Sequence, residues 1–300
     1  MIAITDTHLH LWDTQKLDLP WLSSAPPLAK NHLIGDYKAV ADELGVTKAV
    51  YMEVDVAPES QQAELEEISS LIENDSPLLA GVFPGNPSDP NFPELVDKYK
   101  AHSHVKGVRR VLHSPDMPKG HVLSDAFISG LKQLGEANLS FDLCMRPNEL
   151  GDAAKAASLC PNTTLIIDHC GNADPNIVLE KSDSPALTGD LAKDMFSHTG
   201  EDWKKNMTLI AEHENTVCKL SGIVARVDEA DGYEALRAVV LSCIEIFGCE
   251  RVITGGDWPV SNLGAGLPFW FQSLRKIIGD FSASEQEAIL HINADQLFEI

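Results

Sequence analysis

Three short runs of this sequence carry side chains whose types and spacing can activate water at a carbonyl. The run DTHLH (6–10) holds His8 and His10 at i and i+2. On an extended segment those positions share a face, so both imidazoles can reach one metal ion or one substrate oxygen. Taken alone, an H-x-H is more often a surface loop. The run LIIDHCG (165–171) drives an apolar stretch into Asp168 and His169. A carboxylate there can fix the imidazole tautomer, although a purely structural Asp–His contact would use the same residues. The run VITGGDWP (252–259) places Asp257 behind Gly255 and Gly256, with Trp258 as a flat wall for a ligand.

Opening an ester or lactone needs an activated water, an electrophile on the carbonyl and a proton for the leaving oxygen. One divalent metal on His8, His10, His169 and Asp257 would meet the first two needs, because a bound metal lowers the pKa of water to roughly 7. Neutral imidazoles with a carboxylate suit zinc first, and manganese or iron next. Without a metal, histidine hydrogen bonds polarise the carbonyl and Asp257 serves as base. The residues leave both routes open.

Cations and acids at other strand ends are candidates for holding substrate. In VKGVRRVLH (105–113), alternation lets only one of Arg109 and Arg110 face inward. A buried cation needs a partner, which is either a substrate carboxylate or carbonyl, or a neighbouring acid such as Glu53 or Asp142. Arg146 flanks the fifth strand with Asp142, Lys219 and Ser221 end the seventh, Glu53 and Asp55 end the second, and His113 follows the fourth. Singly, each of these is more often structural. Lys106 lies at the start of its strand, the wrong end for a lysine that bridges two metals, so a single-metal centre is expected.

Positioning these groups requires a scaffold that gathers strand ends. Eight apolar, β-branched runs occur, at Ile2–Thr5, Ala49–Val54, Leu78–Phe83, Val105–Leu112, Leu139–Leu143, Thr164–Ile167, Thr216–Leu220 and Arg251–Thr254. Amphipathic stretches separate them. Glu59–Asn74, Ser124–Ala137 and Tyr233–Phe247 each place their apolar residues on one helical face. Ser284–Phe298 reads as a closing helix with Ser284 and Glu287 as its capping box. Short strands alternating with helices predict βαβ units and a parallel sheet. Eight repeats in 300 residues predict an α/β chain folded as one (β/α)8 TIM-barrel domain over 1–300, whose active site lies at the C-terminal strand ends. The open doubly wound sheet is the alternative, but no G-x-G-x-x-G follows the first strand. Pro20–Pro27 reads as an extended loop, and Ser182–Gly200 as a polar insertion.

Composition narrows the partners. A formal net charge of −22 repels a phosphate backbone, which excludes nucleic acid as a natural partner. No apolar run approaches the ~18 residues of a membrane span. The start, MIAITDTHLH, reads as a strand and not a signal peptide. Cys144, Cys160, Cys170, Cys218, Cys243 and Cys249 form no C-x-x-C pair and read as buried free thiols in a cytoplasmic protein.

The chain resembles the amidohydrolase-2 (amidohydrolase-related) family of the amidohydrolase superfamily. The resemblance rests on DTHLHLW (6–12), LPWL (19–22), KGVR (106–109), FDLCMRP (141–147), DHCG (168–171), CKLSG (218–222) and GDWP (256–259). Within the family it is most similar to the lactonase branch, which contains L-fuconolactonase, L-rhamnono-1,4-lactonase and 2-pyrone-4,6-dicarboxylate lactonase. The resemblance implies a hydrolase acting on a small carbonyl substrate, with Asp257 as general base, and with His8, His10 and His169 ligating a metal or polarising the carbonyl. It implies Arg109 as a hold on substrate. Some members of the branch use a metal and others work without one. Asn172 and Ala173 stand where the branch often has lysine and proline. Glu53 replaces a common glutamine, and His113 falls in a segment that sugar lactonases make acidic. Two other readings stay beside the lactonase: a metal-dependent decarboxylase of an unsaturated or aromatic acid, and a non-catalytic binding barrel.

Overall fold

The computed structural model describes residues 1–74, 77–180, 182, 188–190 and 194–300. Eight strands pair in parallel in chain order. They are β1 (Ile4–Leu9), β2 (Val46–Met52), β3 (Leu78–Pro84), β4 (Val105–Val111), β5 (Ser140–Cys144), β6 (Leu165–Ile167), β7 (Thr216–Leu220) and β8 (Val252–Thr254). An α-helix follows each strand, beginning with Ile34–Ala41 after β1 and ending with Gly266–Ile277 after β8. The chain is therefore a (β/α)8 barrel, as the alternation of apolar runs and amphipathic stretches requires. No described helix is long and apolar enough to cross a membrane.

The barrel closes between its first and last strands, through a parallel bridge of Leu9 with Trp258. The His10 and Asp257 amides donate to the Trp258 and His8 carbonyls at 2.9 and 2.8 Å. Side chains carry the seam lower down. Thr7 Oγ1 donates to the Thr254 carbonyl at 2.8 Å. Asp6 accepts from the Gly256 amide at 2.7 Å, the Tyr37 hydroxyl at 2.7 Å and the His8 amide at 3.0 Å. A Cβ on Gly256 would stand 2.5 Å from Asp6 Oδ2, so only glycine lets β8 come this close to β1.

Inside the barrel, one half is apolar. Val50, Met52, Ala80, Val82, Ile166 and Ile253 pack with Ala294 and Phe298 of the last helix. Toward the C-terminal strand ends the interior becomes charged, with Arg109, Asp142, Asp168 and Lys219 all buried. Lys106 points elsewhere and pairs with Glu299 at 2.8 Å.

Several local expectations need correction. β1 runs on to Leu9, so His8 lies within the strand and not after it. Pro20–Pro27 is not extended: its prolines start two 3-10 turns, Pro20–Ser24 and Pro26–Leu28, as suits a ring that fixes φ near the helical value. The closing helix starts two residues earlier than its apolar pattern suggested. Its capping box is Ser282 with Glu285, not Ser284 with Glu287. Cys249 is half-buried whereas the other five thiols are buried. The expected insertion Ser182–Gly200 falls partly outside the described residues, and its end forms the start of the helix Gly200–Ala211.

Removing the acceptor at the seam, Asp6→Ala, leaves two backbone amides and a hydroxyl without their partner in the interior. It is expected to lower unfolding stability by about 2–4 kcal/mol, read as a drop in urea midpoint at constant m-value. An unchanged midpoint would show that the backbone bridge alone holds the seam.

Candidate active site

Four polar residues of the sequence analysis converge at the mouth of the barrel. His8 in β1 and His10 just past its end face the same side, as their spacing requires, and their Nε2 atoms lie 3.1 Å apart. Asp257 follows β8, with Oδ1 3.6 Å from His8 Nε2 and 3.4 Å from His10 Nε2. Its φ of +52° lies in the left-handed region, which turns the side chain back over the strand ends. Gly255 is needed beneath it, because a Cβ there would meet His8 Cβ at 2.8 Å.

His169 reaches the site on an unusual turn. His169, Cys170, Gly171 and Asn172 have φ of +54°, +53°, +71° and +55°, a left-handed helical turn in L-residues. Each non-glycine member costs roughly 1–2 kcal/mol. The surroundings hold it in place: His169 Nδ1 lies 2.9 Å from Ser221 Oγ, the Trp203 indole donates to the Cys170 carbonyl at 2.8 Å, and Asn172 Nδ2 donates to the Met145 carbonyl at 2.9 Å. A Cβ on Gly222 would lie 2.3 Å from His169 Nδ1. The His169 ring centroid is 4.6 Å from that of His8.

The donor set fits a divalent cation. His10 Nδ1 lies 3.0 Å from the Met52 carbonyl. A carbonyl only accepts, so the proton is on Nδ1 and the Nε2 lone pair faces His8 and Asp257. Three buried electron-rich atoms therefore meet with edges of 3.1, 3.4 and 3.6 Å. A tetrahedral ion with bonds of about 2.0–2.1 Å has ligand–ligand edges of about 3.3–3.4 Å. Burial pushes His8 and His169 below the ordinary histidine value. For Asp257, burial raises the carboxyl, but His169, His10 and His8 outweigh it and bring it down to about 2. Neutral imidazoles and an ionised carboxylate are the forms a metal requires. His169 falls outside this triangle and groups instead with His8 and Asp168, so three of the four expected ligands come together and the fourth joins a separate trio that brings in Asp168.

Arg109, not Arg110, faces inward. Its Nε donates to Glu53 Oε1 at 2.6 Å, its Nη2 to the Glu53 carbonyl at 2.7 Å, and its Nη1 lies 3.4 Å from His8 Nε2. Burial disfavours its charge, but Glu53 more than restores it and raises the guanidinium above its usual value. Arg110 is half-exposed and sits 3.6 Å from Asp55.

Above these groups opens a cavity of about 690 Å³, lined in part by His10, Arg109, His113, His169 and Asp257. Several expected substrate contacts do not line it. Trp258 is packed between His32 and Tyr37, with centroids at 5.3 and 5.6 Å. Glu53 is sealed beneath Arg109 and acts on that residue. Asp142 is buried against Lys219. Arg146 holds the segment after β4 through the Ser114 and Met117 carbonyls at 2.6 and 2.7 Å, and pairs with Glu149.

Other residues take those places. Trp12 and Trp21 form the aromatic wall, edge to face at 5.6 Å, with their indole N–H groups donated to the Lys30 and Val54 carbonyls. Both stand in motif runs of the sequence, DTHLHLW and LPWL. Arg226 lines the cavity too. It lies 4.0 Å over the Phe196 ring and 3.4 Å from Asn172 Oδ1, and its place four residues after the CKLSG end of β7 was the available signal.

Comparisons with known proteins agree with this architecture. The family described as Amidohydrolase matches residues 5–300. The chain is similar to L-fucono-1,5-lactonase of Burkholderia multivorans, 26% identical over 87% of this chain and 83% of that one. A solved structure of an amidohydrolase 2 from Bifidobacterium longum subsp. infantis aligns over 100% of both chains at 29% identity and a TM-score of 0.71. An amidohydrolase from Burkholderia multivorans with bound zinc covers 99% of both at 21% identity and a TM-score of 0.81, which is a likeness of fold.

His113 offers a test of the site's electrostatics. Burial first, then the charges of His169, Arg109 and Arg226, push it from 6.5 down to about 3, and its Nδ1 has no hydrogen-bond partner among the described residues. The unfolded chain takes up this proton below 6.5 and the folded chain does not, so the stability involved is present above pH 6.5 and lost as pH falls toward 3. In His113→Gln, the decline of the urea midpoint between pH 6.5 and 4 is expected to be shallower by one proton's worth. An unaltered slope would assign that decline to other groups.

Proposed function

The chain belongs to the amidohydrolase family, and from that premise we propose that it opens a lactone by attack of water at a carbonyl. One observation carries the reading: His8 Nε2, His10 Nε2 and Asp257 Oδ1 converge within 3.1–3.6 Å, and His10 and Asp257 line a cavity of about 690 Å³. One divalent ion, zinc first and manganese next, would be held by His8, His10 and Asp257. When bound, it supplies a more acidic water and a Lewis acid for the carbonyl.

The chain's own residues do the rest. Asp257 is ionised throughout the neutral range; it takes a proton from water at its free oxygen as the water attacks, and returns that proton to the ring oxygen as the acyl–oxygen bond breaks. The neutral His169 faces the same cavity and, oriented by Ser221, hydrogen-bonds the carbonyl oxygen. Arg109 is fixed by Glu53 and leaves Nη1 toward the centre, where it holds a polar substituent near the reacting carbon. Trp12 and Trp21 cover the faces of a ring and exclude water around it. Arg226 stands on the far wall as the cation for an acidic substituent, so the cavity suits a lactone carrying a carboxylate or several hydroxyls.

Three experiments test this. Asp257→Asn is expected to lower kcat on a hydrolysed lactone by at least about 100-fold, the scale of general base catalysis, with circular dichroism unchanged. Full activity in the folded variant would sink the mechanism. On a panel of sugar-acid lactones and pyrone dicarboxylate, followed with a pH indicator, chelation is expected to abolish turnover and added zinc or manganese to restore it. Turnover that survives chelation would leave Asp257 as an unaided base. Arg226→Met is expected to raise KM for the carboxylated substrate at least tenfold and to leave a neutral lactone nearly unaffected; equal effects on both would remove Arg226 from substrate recognition.

A further inference from the structure

His8 turns its second nitrogen toward a second set of ligand atoms. His8, Asp168 and His169 each offer one within 4.8 Å of the others, and among the described residues Asp168 Oδ2 is buried without a hydrogen bond. By donor type this trio rivals the triangle at Nε2. It differs in having an ammonium against two of its donors, where among the described residues the triangle has only Arg109 Nη1 near one, at 3.4 Å from His8 Nε2. Lys219 reaches in from β7, with Nζ 3.0 Å from Asp168 Oδ1, 3.5 Å from His8 Nδ1 and in contact with Asp142. Lys219, Asp142, Asp168 and His8 are all fully buried.

We propose that the Lys219 ammonium stands where a second metal ion would otherwise bind between Asp168 and His169, with His8 Nδ1 joining only once its proton has left to solvent and the ring bridges as imidazolate, and so limits the centre to one divalent ion. The proposal rests on the metal-binding reading of His8, His10 and Asp257. A fixed ammonium within 3.0–3.5 Å of two of the three donors repels a dication and shares the negative charge that would attract it. Water cannot screen that repulsion where every partner has lost its solvent. The ammonium also steers His8. Drawn between Asp142 and Asp168, it keeps Asp168 Oδ1 3.6 Å from His8 Nδ1, beyond a direct hydrogen bond, so that the carboxylate acts on the ring through its charge. Lys219 is thus a positioning residue that acts through Asp168 and His8. The lysine of β4, Lys106, has no such role, being turned out to Glu299.

The test counts ions. Wild type, Lys219→Met and Lys219→Met/Asp168→Asn are stripped with chelator, reloaded with zinc, desalted and assayed for zinc per chain, with circular dichroism as the check of fold. The expected counts are one, two and one. Lys219→Met/Asp142→Leu removes the acid that the single variant leaves alone; it is also expected to bind two, and it serves if the single variant does not fold. A folded lysine-less variant with the wild-type count overturns the proposal, as does a second ion that persists after Asp168→Asn. The two readings fail separately. Wild type at zero with Lys219→Met at one would remove the resident metal of the triangle and keep the role of Lys219. One ion in each would do the reverse, and none in either would overturn both.

Discussion

The rest of this structure depends on one constraint: three electron-rich atoms, two imidazole nitrogens and a carboxylate oxygen, point at one another beneath the cavity with almost none of their own surface exposed. Such a convergence is unfavourable unless a positive charge occupies its centre. The fold devotes much of its precision to maintaining it. His10 is kept in one tautomer by the Met52 carbonyl. Asp257 is turned inward through a left-handed backbone, and two glycines allow β8 to lie against β1. Arg109 and Lys219 bring positive charge to opposite nitrogens of His8, and each is tied to an acid so that neither collapses onto the ring.

The division of the barrel interior is a result of this. The half away from the mouth is filled with aliphatic side chains and closed by Phe298 and Ala294, which stabilises the barrel without any special geometry. The half beneath the mouth holds ions whose burial is favourable only while every partner stays in place. Strain is concentrated there as well, since the left-handed turn His169–Asn172 and Asp257 all have positive φ. Stability drawn from the apolar half sustains the strained half.

Much of this was legible in the sequence. The eight apolar runs matched the eight strands within a few residues, because strands buried on both faces are continuous apolar runs. His8, His10, His169 and Asp257 were legible because a closed barrel gathers its chemistry at the C-terminal strand ends, and polar residues stand out there against the apolar runs. The misses have physical causes. Trp258, Asp142, Glu53 and Arg146 sit at strand ends, yet their side chains point behind or below the cavity, and whether a residue just past a strand end faces the cavity depends on local twist and turn, which period-2 alternation does not give. Trp12, Trp21 and Arg226 lie several residues beyond their strands, on loops and 3-10 turns with no periodic signal. The partner of Arg109 was narrowed to Glu53 or Asp142, and only the register of neighbouring strands decides it. The capping box slipped by two because Ser282-x-x-Glu285 and Ser284-x-x-Glu287 obey the same rule.

The seam between β1 and β8 has a consequence for the order of events during synthesis. Residues 6–10 emerge well before residues 255–258, and the triangle of His8, His10 and Asp257 needs both. Until β8 has left the ribosome, His8 and His10 face an open sheet edge and lack the carboxylate that completes their set. A nascent or C-terminally truncated chain therefore presents two histidines and no centre. Any ion or substrate that needs both sides of the site must therefore wait for β8 to close the seam with β1.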